Sequence, residues 1–362
     1  MARIFVSPLS WGLGHATRVI PIIREVLKHG HEVTIAACGR ALELLRREFP
    51  ACRFVGFEDY PVPFNASRFF LPKFIVTIPQ VLRAIAAERK KAQEIFSQEK
   101  YDLILSDNRF GVYSEDAPSF FLSHQLKFSV PAFLKPFETA TEFFNSHFHQ
   151  HFERIIVPDN PPEIGGLSGK LCQSHRSVTQ SRIYFAGILC SVHRMPVEED
   201  IDFLLSISGP EPQRSVLEEI LLTQVPTLPG RIVVLLGRPD EEWENNPDEH
   251  TTIRTHASRK EMESLMNRAK FIICRSGYTT MMEMAELEKR RALLIPTPGQ
   301  TEQEYLSQYY MEQKWFYSKS QYKLNLRDDI ETASVYRGFP AMAKSEENAK
   351  RLYAELFSPY LD

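Results

Sequence analysis

Solid apolar runs and stretches with helical spacing alternate along this chain, and they do so in two successive halves. Residues 3–9 form an apolar run that reads as a first strand, followed by the glycine-rich turn SWGLGH at 10–15. Residues 16–30 then place Val19, Ile20, Ile23, Val26 and Leu27 at helical spacing, closed by Gly30. Residues 32–37 return to the strand pattern, which completes a βαβ opening. Further strand signals fall at 101–107, 119–125, 153–158 and 182–186. Residues 189–200 lack an apolar period and carry Pro196 and the acidic run Glu198-Glu199-Asp200, so they read as a linker.

The second half restarts with a strand at 201–208, a turn at 209–214 (GPEPQR), a helix at 216–222 and a strand at 231–236. An acidic loop follows at 240–249, then an amphipathic helix at 258–269. Residues 274–307 hold an apolar run ending in Arg275-Ser276-Gly277, a helical pattern carrying Glu283, a second apolar run ending in prolines, and Gln300 to Gln303 opening another helix. The pattern weakens after Trp315, and 341–357 reads as a terminal helix. The fold class is therefore α/β. Its expected organisation is an N-terminal Rossmann-like domain at 1–190, a second domain at 191–345, and a terminal helix at 346–362 that crosses back to the first.

Composition narrows the function. A chain of 362 residues suits two domains, and 43% hydrophobic with 25% charged residues is the balance of a globular protein. The net charge of −3 argues against nucleic acid as the main partner. Five widely spaced cysteines, Cys38, Cys52, Cys172, Cys190 and Cys274, contain no C-x-x-C and suggest neither a zinc site nor a disulfide framework. No uncharged run has the length of a membrane span, so a reducing cytosol is expected.

Strand-to-helix turns at one edge of a parallel sheet expose free N–H groups and a helix dipole, which favour anions. Ser276 and Gly277 occupy such a turn and suit a phosphate; Ser208, Gly209 and Arg214 are candidates at the turn before. Glu283 suits the hydroxyls of a ribose, and Gln300 and Gln303 add amide donors and acceptors. In the first half, His15 follows Gly12 and Gly14 and can accept a proton near neutral pH. Asp107, Asn108 and His124 lie at strand ends expected to face the same edge, and either Asp107 or His124 could be a second candidate base, with Asp107 taken first. The first two glycines of a dinucleotide fingerprint are present, but Thr17 stands at the third position and no acid ends the second strand; Arg40 leaves room for a 2′-phosphate. His147, His149 and His151 alternate without an accompanying carboxylate or cysteine, and no metal is expected there.

Residues 68–87 (RFFLPKFIVTIPQVLRAIAA) combine apolar positions with Arg68, Lys73 and Arg83, and with Arg89, Lys90 and Lys91 beyond. Such a surface could lie on an anionic membrane leaflet; the alternative is a core helix with a solvated basic end. Pro72 and Pro79 argue against one uninterrupted helix.

The RSG turn, the Glu further along its helix, the strand ending in IP and the Gln-containing loop resemble the donor half of glycosyltransferase family 28, whose best-known member forms lipid II. GLGHATR resembles the G-x-G-H-x-x-R that begins many GT-B glycosyltransferases. The resemblance implies a GT-B fold, two Rossmann-like domains facing a central cleft. Ser276 and Gly277 would hold the pyrophosphate, Glu283 the ribose and Gln303 the sugar, with Arg275 near the departing diphosphate. The loop TPGQTEQE departs from the family's longer basic and acidic run. The implied reaction is an inverting, metal-independent and cofactor-free transfer of N-acetylglucosamine or another hexose from a UDP-sugar to an acceptor hydroxyl. That hydroxyl would belong to a lipid or cell-envelope glycan, and the enzyme would be cytoplasmic and peripheral on the inner membrane face. The alternatives are a GT-B nucleotide-sugar epimerase or hydrolase, and a non-catalytic nucleotide-sugar-binding protein; a NADP-linked enzyme ranks behind them.

Overall fold

Buried apolar strands with helical crossovers fold into two parallel sheets, one in each of two units. The structure is a computed structural model that describes residues 1–60, 70–127 and 135–361, with side chains described except at 70–78 and 135–138. One unit comprises Met1–Ser191 with Ala343–Asp362, and the other Val192–Met342.

In the first unit, β1 (Arg3–Pro8), α1 (Leu13–Lys28), β2 (Glu32–Ala37), α2 (Gly39–Glu48), β3 (Arg53–Gly56), α3 (Phe70–Gln98), β4 (Leu103–Asp107), β5 (Ser119–Leu122), α4 (Lys135–His149), β6 (Arg154–Val157), α5 (Ser177–Gln180) and β7 (Ile183–Phe185) follow in order. The sheet order is β3-β2-β1-β4-β5-β6-β7, all parallel. The inner strands β2, β1, β4, β5 and β6 are buried on both faces, which is why they read as solid apolar runs. Strand order reverses between β1 and β4, and a ligand crevice belongs at the carboxyl ends of the strands at such a reversal.

In the second unit, β8 (Ile201–Ser206), α6 (Gln213–Gln224), β9 (Ile232–Leu235), β10 (Glu244–Asn245), β11 (Thr251–Arg254), α7 (Arg259–Arg268), β12 (Ala269–Cys274), α8 (Tyr278–Glu286), β13 (Ala292–Leu294), α9 (Thr301–Glu312), β14 (Tyr317–Ser318) and α10 (Leu326–Ala333) follow. The order is β10-β11-β9-β8-β12-β13-β14, with only β10 antiparallel. The reversal here lies between β8 and β12. The start of α7 is written in the sequence as a capping box: Ser258 Oγ accepts from Glu261 N at 3.3 Å, and Glu261 Oε2 accepts from Ser258 N at 2.8 Å.

Helix α11 (Ser345–Leu352) and the π-helical turn Tyr353–Phe357 that continues it pack in the first unit, where Ala349, Leu352, Tyr353, Leu356 and Phe357 join the core of β1, β2 and α1. Tyr353 Oη lies 2.6 Å from His31 Nε2, and Asn348 Nδ2 donates to Ile188 O at 2.9 Å. Gly187 adopts φ +79°, and a Cβ there would meet the Asn348 amide at 2.5 Å, so both conformation and close approach require glycine.

Three expectations need correction. Residues 70–98 form one helix with Pro79 inside it, because a single proline removes one backbone bond from a helix long enough to absorb the loss. The acidic stretch 240–249 is not all loop, since Glu244 and Asn245 pair with β11. The region after Trp315 contains β14 and α10, which are too short to show a clear apolar period. The apolar and basic run at 68–87 falls largely outside the described side chains; of the remainder, Ile85 is buried and Leu82 exposed. Among the described residues, no helix is long and apolar enough to cross a membrane.

Candidate functional site

In the first unit the reversal point between β1 and β4 carries the chemistry. Gly12 caps α1 with φ +94°, a conformation that favours glycine, and Gly14 and His15 lie in the first turn of the helix. Asp107 ends β4 and is wholly buried. Its Oδ1 lies 2.9 Å from His15 Nδ1, and its Oδ2 accepts from Arg18 Nε at 2.8 Å. Arg18 Nη2 also donates to Oδ1. Arg18 Nη1 lies 3.1 Å from His124 Nδ1, and Nη2 lies 2.9 Å from His15 Nδ1. Asn108 follows at φ +55°, its N–H donating to Leu122 O at 3.2 Å.

The electrostatics of this cluster are opposed and balanced. Burial lowers the His15 pKa below its usual value; Asp107 raises it, and Arg18 and His124 lower it. Burial pushes the Asp107 pKa up, but Arg18 and His15 outweigh it and leave the carboxyl below its ordinary range. Asp107 is therefore not placed as a second base, because it is inaccessible and both oxygens are committed. His15, with 17% of its side chain exposed, remains the group able to meet a proton from outside. Arg18, unforeseen as a site residue, completes the cluster; its sequence signal was the i, i+3 spacing from His15 on one helix face.

In the second unit, Gly277 stands at the N-cap of α8 and, lacking a side chain, supplies no side-chain cap to the helix N-terminus. Gly277 has φ −70°, and the nearest atom to a Cβ there would be Gln303 Nε2 at 3.9 Å. The missing side chain thus keeps space open without serving a backbone need. Glu283, on the same helix, is half-buried and has no hydrogen-bond partner among the described residues. Burial raises its pKa to about 7, with Arg259 lowering and Glu263 raising it. Gln303 is fixed: Thr297 N donates to its Oε1 at 2.9 Å, and its Nε2 donates to Gln300 Oε1.

Ser208 and Gly209 are exposed after β8, with Gly209 at φ +118°. Three expected phosphate ligands are otherwise engaged. Arg275 is buried and donates to the main-chain oxygens of Ser208 at 3.1 Å, Ile295 and Pro296 at 3.2 Å and Gln213 at 3.0 Å, so it ties loops together. Burial also lowers its pKa to about 10. Ser276 Oγ donates to Gln303 O at 3.0 Å and accepts from Ser307 Oγ at 2.8 Å, which leaves its main chain to face a ligand. Arg214 is held by Glu211 at 2.6 Å, by Glu218 and by Leu236 O at 3.0 Å. His149 is buried 3.1 Å from Thr179 Oγ1, with burial lowering its pKa to about 3, and His151 stacks on Tyr113 at 4.4 Å. Among the described residues, no group of three His, Cys, Asp or Glu side chains could hold a metal.

Residues 214–350 match the model for the glycosyltransferase family 28 C-terminal domain. Solved structures similar to the whole chain are glycosyltransferases. That of kitacinnamycin is 13% identical, covers 99% of this chain and 95% of its own, and gives a TM-score of 0.64. MurG of Acinetobacter baumannii is 12% identical over 99% and 100%, with a TM-score of 0.58. The spinosyn rhamnosyltransferase SpnG complexed with thymidine diphosphate is 15% identical over 99% and 96%, with a TM-score of 0.61. No curated protein sequence matches. The architecture is thus GT-B, with one Rossmann-like sheet in each unit. The match to the family 28 C-terminal domain spans most of the second unit, and the likeness to the solved glycosyltransferases is one of fold across the whole chain.

Proposed function

We propose that the protein transfers a hexose from a nucleoside diphosphate-sugar to an acceptor hydroxyl, with inversion and without a metal. The observation that carries the donor half is Glu283: a half-buried carboxylate with no hydrogen-bond partner among the described residues, on the helix that begins after Gly277, whose N-cap supplies no side chain. The helix N-terminus would take the diphosphate, Glu283 the ribose hydroxyls and the fixed Gln303 amide the sugar. His15 Nε2 would accept the acceptor's hydroxyl proton as that oxygen bonds to the anomeric carbon. The bond from that carbon to the phosphate oxygen breaks, and the nucleoside diphosphate leaves with the electron pair. Asp107 would orient His15 and stabilise its charged form.

UDP is the nucleotide we favour, and SpnG's complex with thymidine diphosphate makes dTDP the control. The basic and apolar run at 68–87 supports an acceptor presented at a cytoplasmic membrane face, as a lipid-linked or envelope glycan. The test is calorimetric titration with UDP, dTDP, UDP-N-acetylglucosamine, GDP and NADPH, with and without EDTA. Binding of UDP ligands that survives EDTA and is lost in Glu283→Ala supports the donor site. Binding unchanged by that substitution removes Glu283 from it, and tight NADPH binding alone overturns the reading.

A further inference from the structure

We propose that Arg18 is a positioning residue that sets His124 as a donor at Nε2 and aligns Asp107, which in turn holds neutral His15 protonated at Nδ1 and so a proton acceptor at Nε2. The inference rests on the reading of His15 as the base and deepens it. A guanidinium can only donate. With Arg18 Nη1 at 3.1 Å, His124 Nδ1 must present its lone pair, so the proton of that ring sits on Nε2.

At His15 the matter is a competition. Nδ1 lies 2.9 Å from a donor, Arg18 Nη2, and 2.9 Å from an acceptor, Asp107 Oδ1. Once His15 takes a proton on Nε2, Nδ1 must carry hydrogen, and only the Asp107 contact then remains favourable. Asp107 therefore stabilises the product of proton uptake and Arg18 opposes it. Arg18 cannot be moved aside, because Nε and Nη2 grip both oxygens of Asp107 and the side chain is buried. The groups facing His15 are Arg18 from α1, Asp107 from β4 and His124 from beyond β5. One buried cation thus aligns the carboxylate, fixes the second imidazole and restrains the first from charging before a proton is offered.

The test uses the full chain labelled with ¹⁵N-histidine and long-range ¹H–¹⁵N spectra, with His15→Gln and His124→Gln assigning the two rings. In the wild type, His124 should appear protonated at Nε2 and neutral His15 at Nδ1. In Arg18→Met the His124 preference should be lost, and the His15 midpoint should rise by about 1 pH unit, because the carboxylate stays while the cation goes. Arg18→Lys keeps the charge but not the fork, so it should hold the His15 midpoint nearer the wild type while releasing the His124 tautomer. A purely structural arginine would change the melting temperature and leave these signals in place. Wild-type His124 protonated at Nδ1, neutral wild-type His15 protonated at Nε2, or unchanged signals in a folded Arg18→Met protein would each overturn the proposal. If both variants fail to fold, the wild-type tautomers decide it alone. The spectra need neither donor nor acceptor, so their outcome is independent of the nucleotide titration.

Discussion

Asp107 and Arg18 form a buried pair in which the carboxylate's Oδ2 accepts Nε at 2.8 Å and Oδ1 accepts Nη2, while His15 Nδ1 lies 2.9 Å from both Oδ1 and Nη2. Removing one partner strands the other. Asp107→Ala should destabilise the protein by about 3–5 kcal/mol, the usual cost of uncovering a buried charge. Calorimetric melting checks this; a change below 1 kcal/mol would mean the pair is not held as described.

His15→Ala should fold normally, since the ring is partly exposed, and should bind nucleotide like the wild type. Transfer should fall about 10²- to 10⁴-fold, the range for loss of a general base. Steady-state kinetics beside the UDP titration separates the two effects, and full activity would eliminate His15 as the base.

Glu283 makes two opposite demands on pH. Its folded pKa of about 7 lies above the unfolded value, so the folded state holds the proton more tightly. Stability from this group is complete below the unfolded pKa and is lost as pH rises through about 7, a total of about 3 kcal/mol. Hydrogen bonding of ribose hydroxyls to the ionised carboxylate should make UDP affinity rise over the same interval. Glu283→Gln should therefore be more stable than the wild type at pH 8 while binding UDP about tenfold more weakly. Thermal melts and titrations at pH 5.5 and 8 would show both trends; equal pH slopes in the two proteins would refute the assignment.

Gly277→Ala should leave folding intact, because φ −70° suits alanine and no described atom lies closer than 3.9 Å to the added methyl. The methyl would stand where the diphosphate is proposed to lie, and UDP affinity should drop at least tenfold. Gly209→Ala makes the contrast: at φ +118° the backbone itself is strained, so stability should fall by about 1–3 kcal/mol. Paired melting and binding measurements distinguish the two glycines.

Arg275→Met should behave as a folding variant. Its guanidinium satisfies four carbonyls from three loop segments, and leaving buried acceptors unpaired costs about 1–3 kcal/mol each. A folded Arg275→Met protein with selectively lost UDP affinity would instead return this residue to the phosphate.

The βαβ rhythm was legible because parallel strands buried on both faces leave solid apolar runs, and because Gly12 and Gly277 stand where strand passes to helix. His15 and Glu283 were legible as site candidates because few other residue types supply a base or a diol-binding carboxylate at such turns. The direction in which a long side chain turns was not. Arg275 and Arg214 looked like phosphate ligands by position, yet one gathers main-chain carbonyls and the other lies between Glu211 and Glu218. The Ser276 hydroxyl turns toward α9 for the same reason: its partners, Gln303 O and Ser307 Oγ, come from a segment about thirty residues away. Arg18 went unnoticed because its partners come from β4 and the segment after β5, which only the sheet order brings beside α1.

The first unit is interrupted in sequence, with Ala343–Asp362 supplying part of its core after the whole second unit has intervened. On the ribosome, residues 1–191 would therefore emerge with the face of α1 that receives Leu352 and Phe357 still bare, and would wait through some 150 further residues for its cover. The second unit needs no such wait. Synthesis order thus favours a nascent chain whose second unit matures first, and whose first unit closes only when residues 343–362 have been translated.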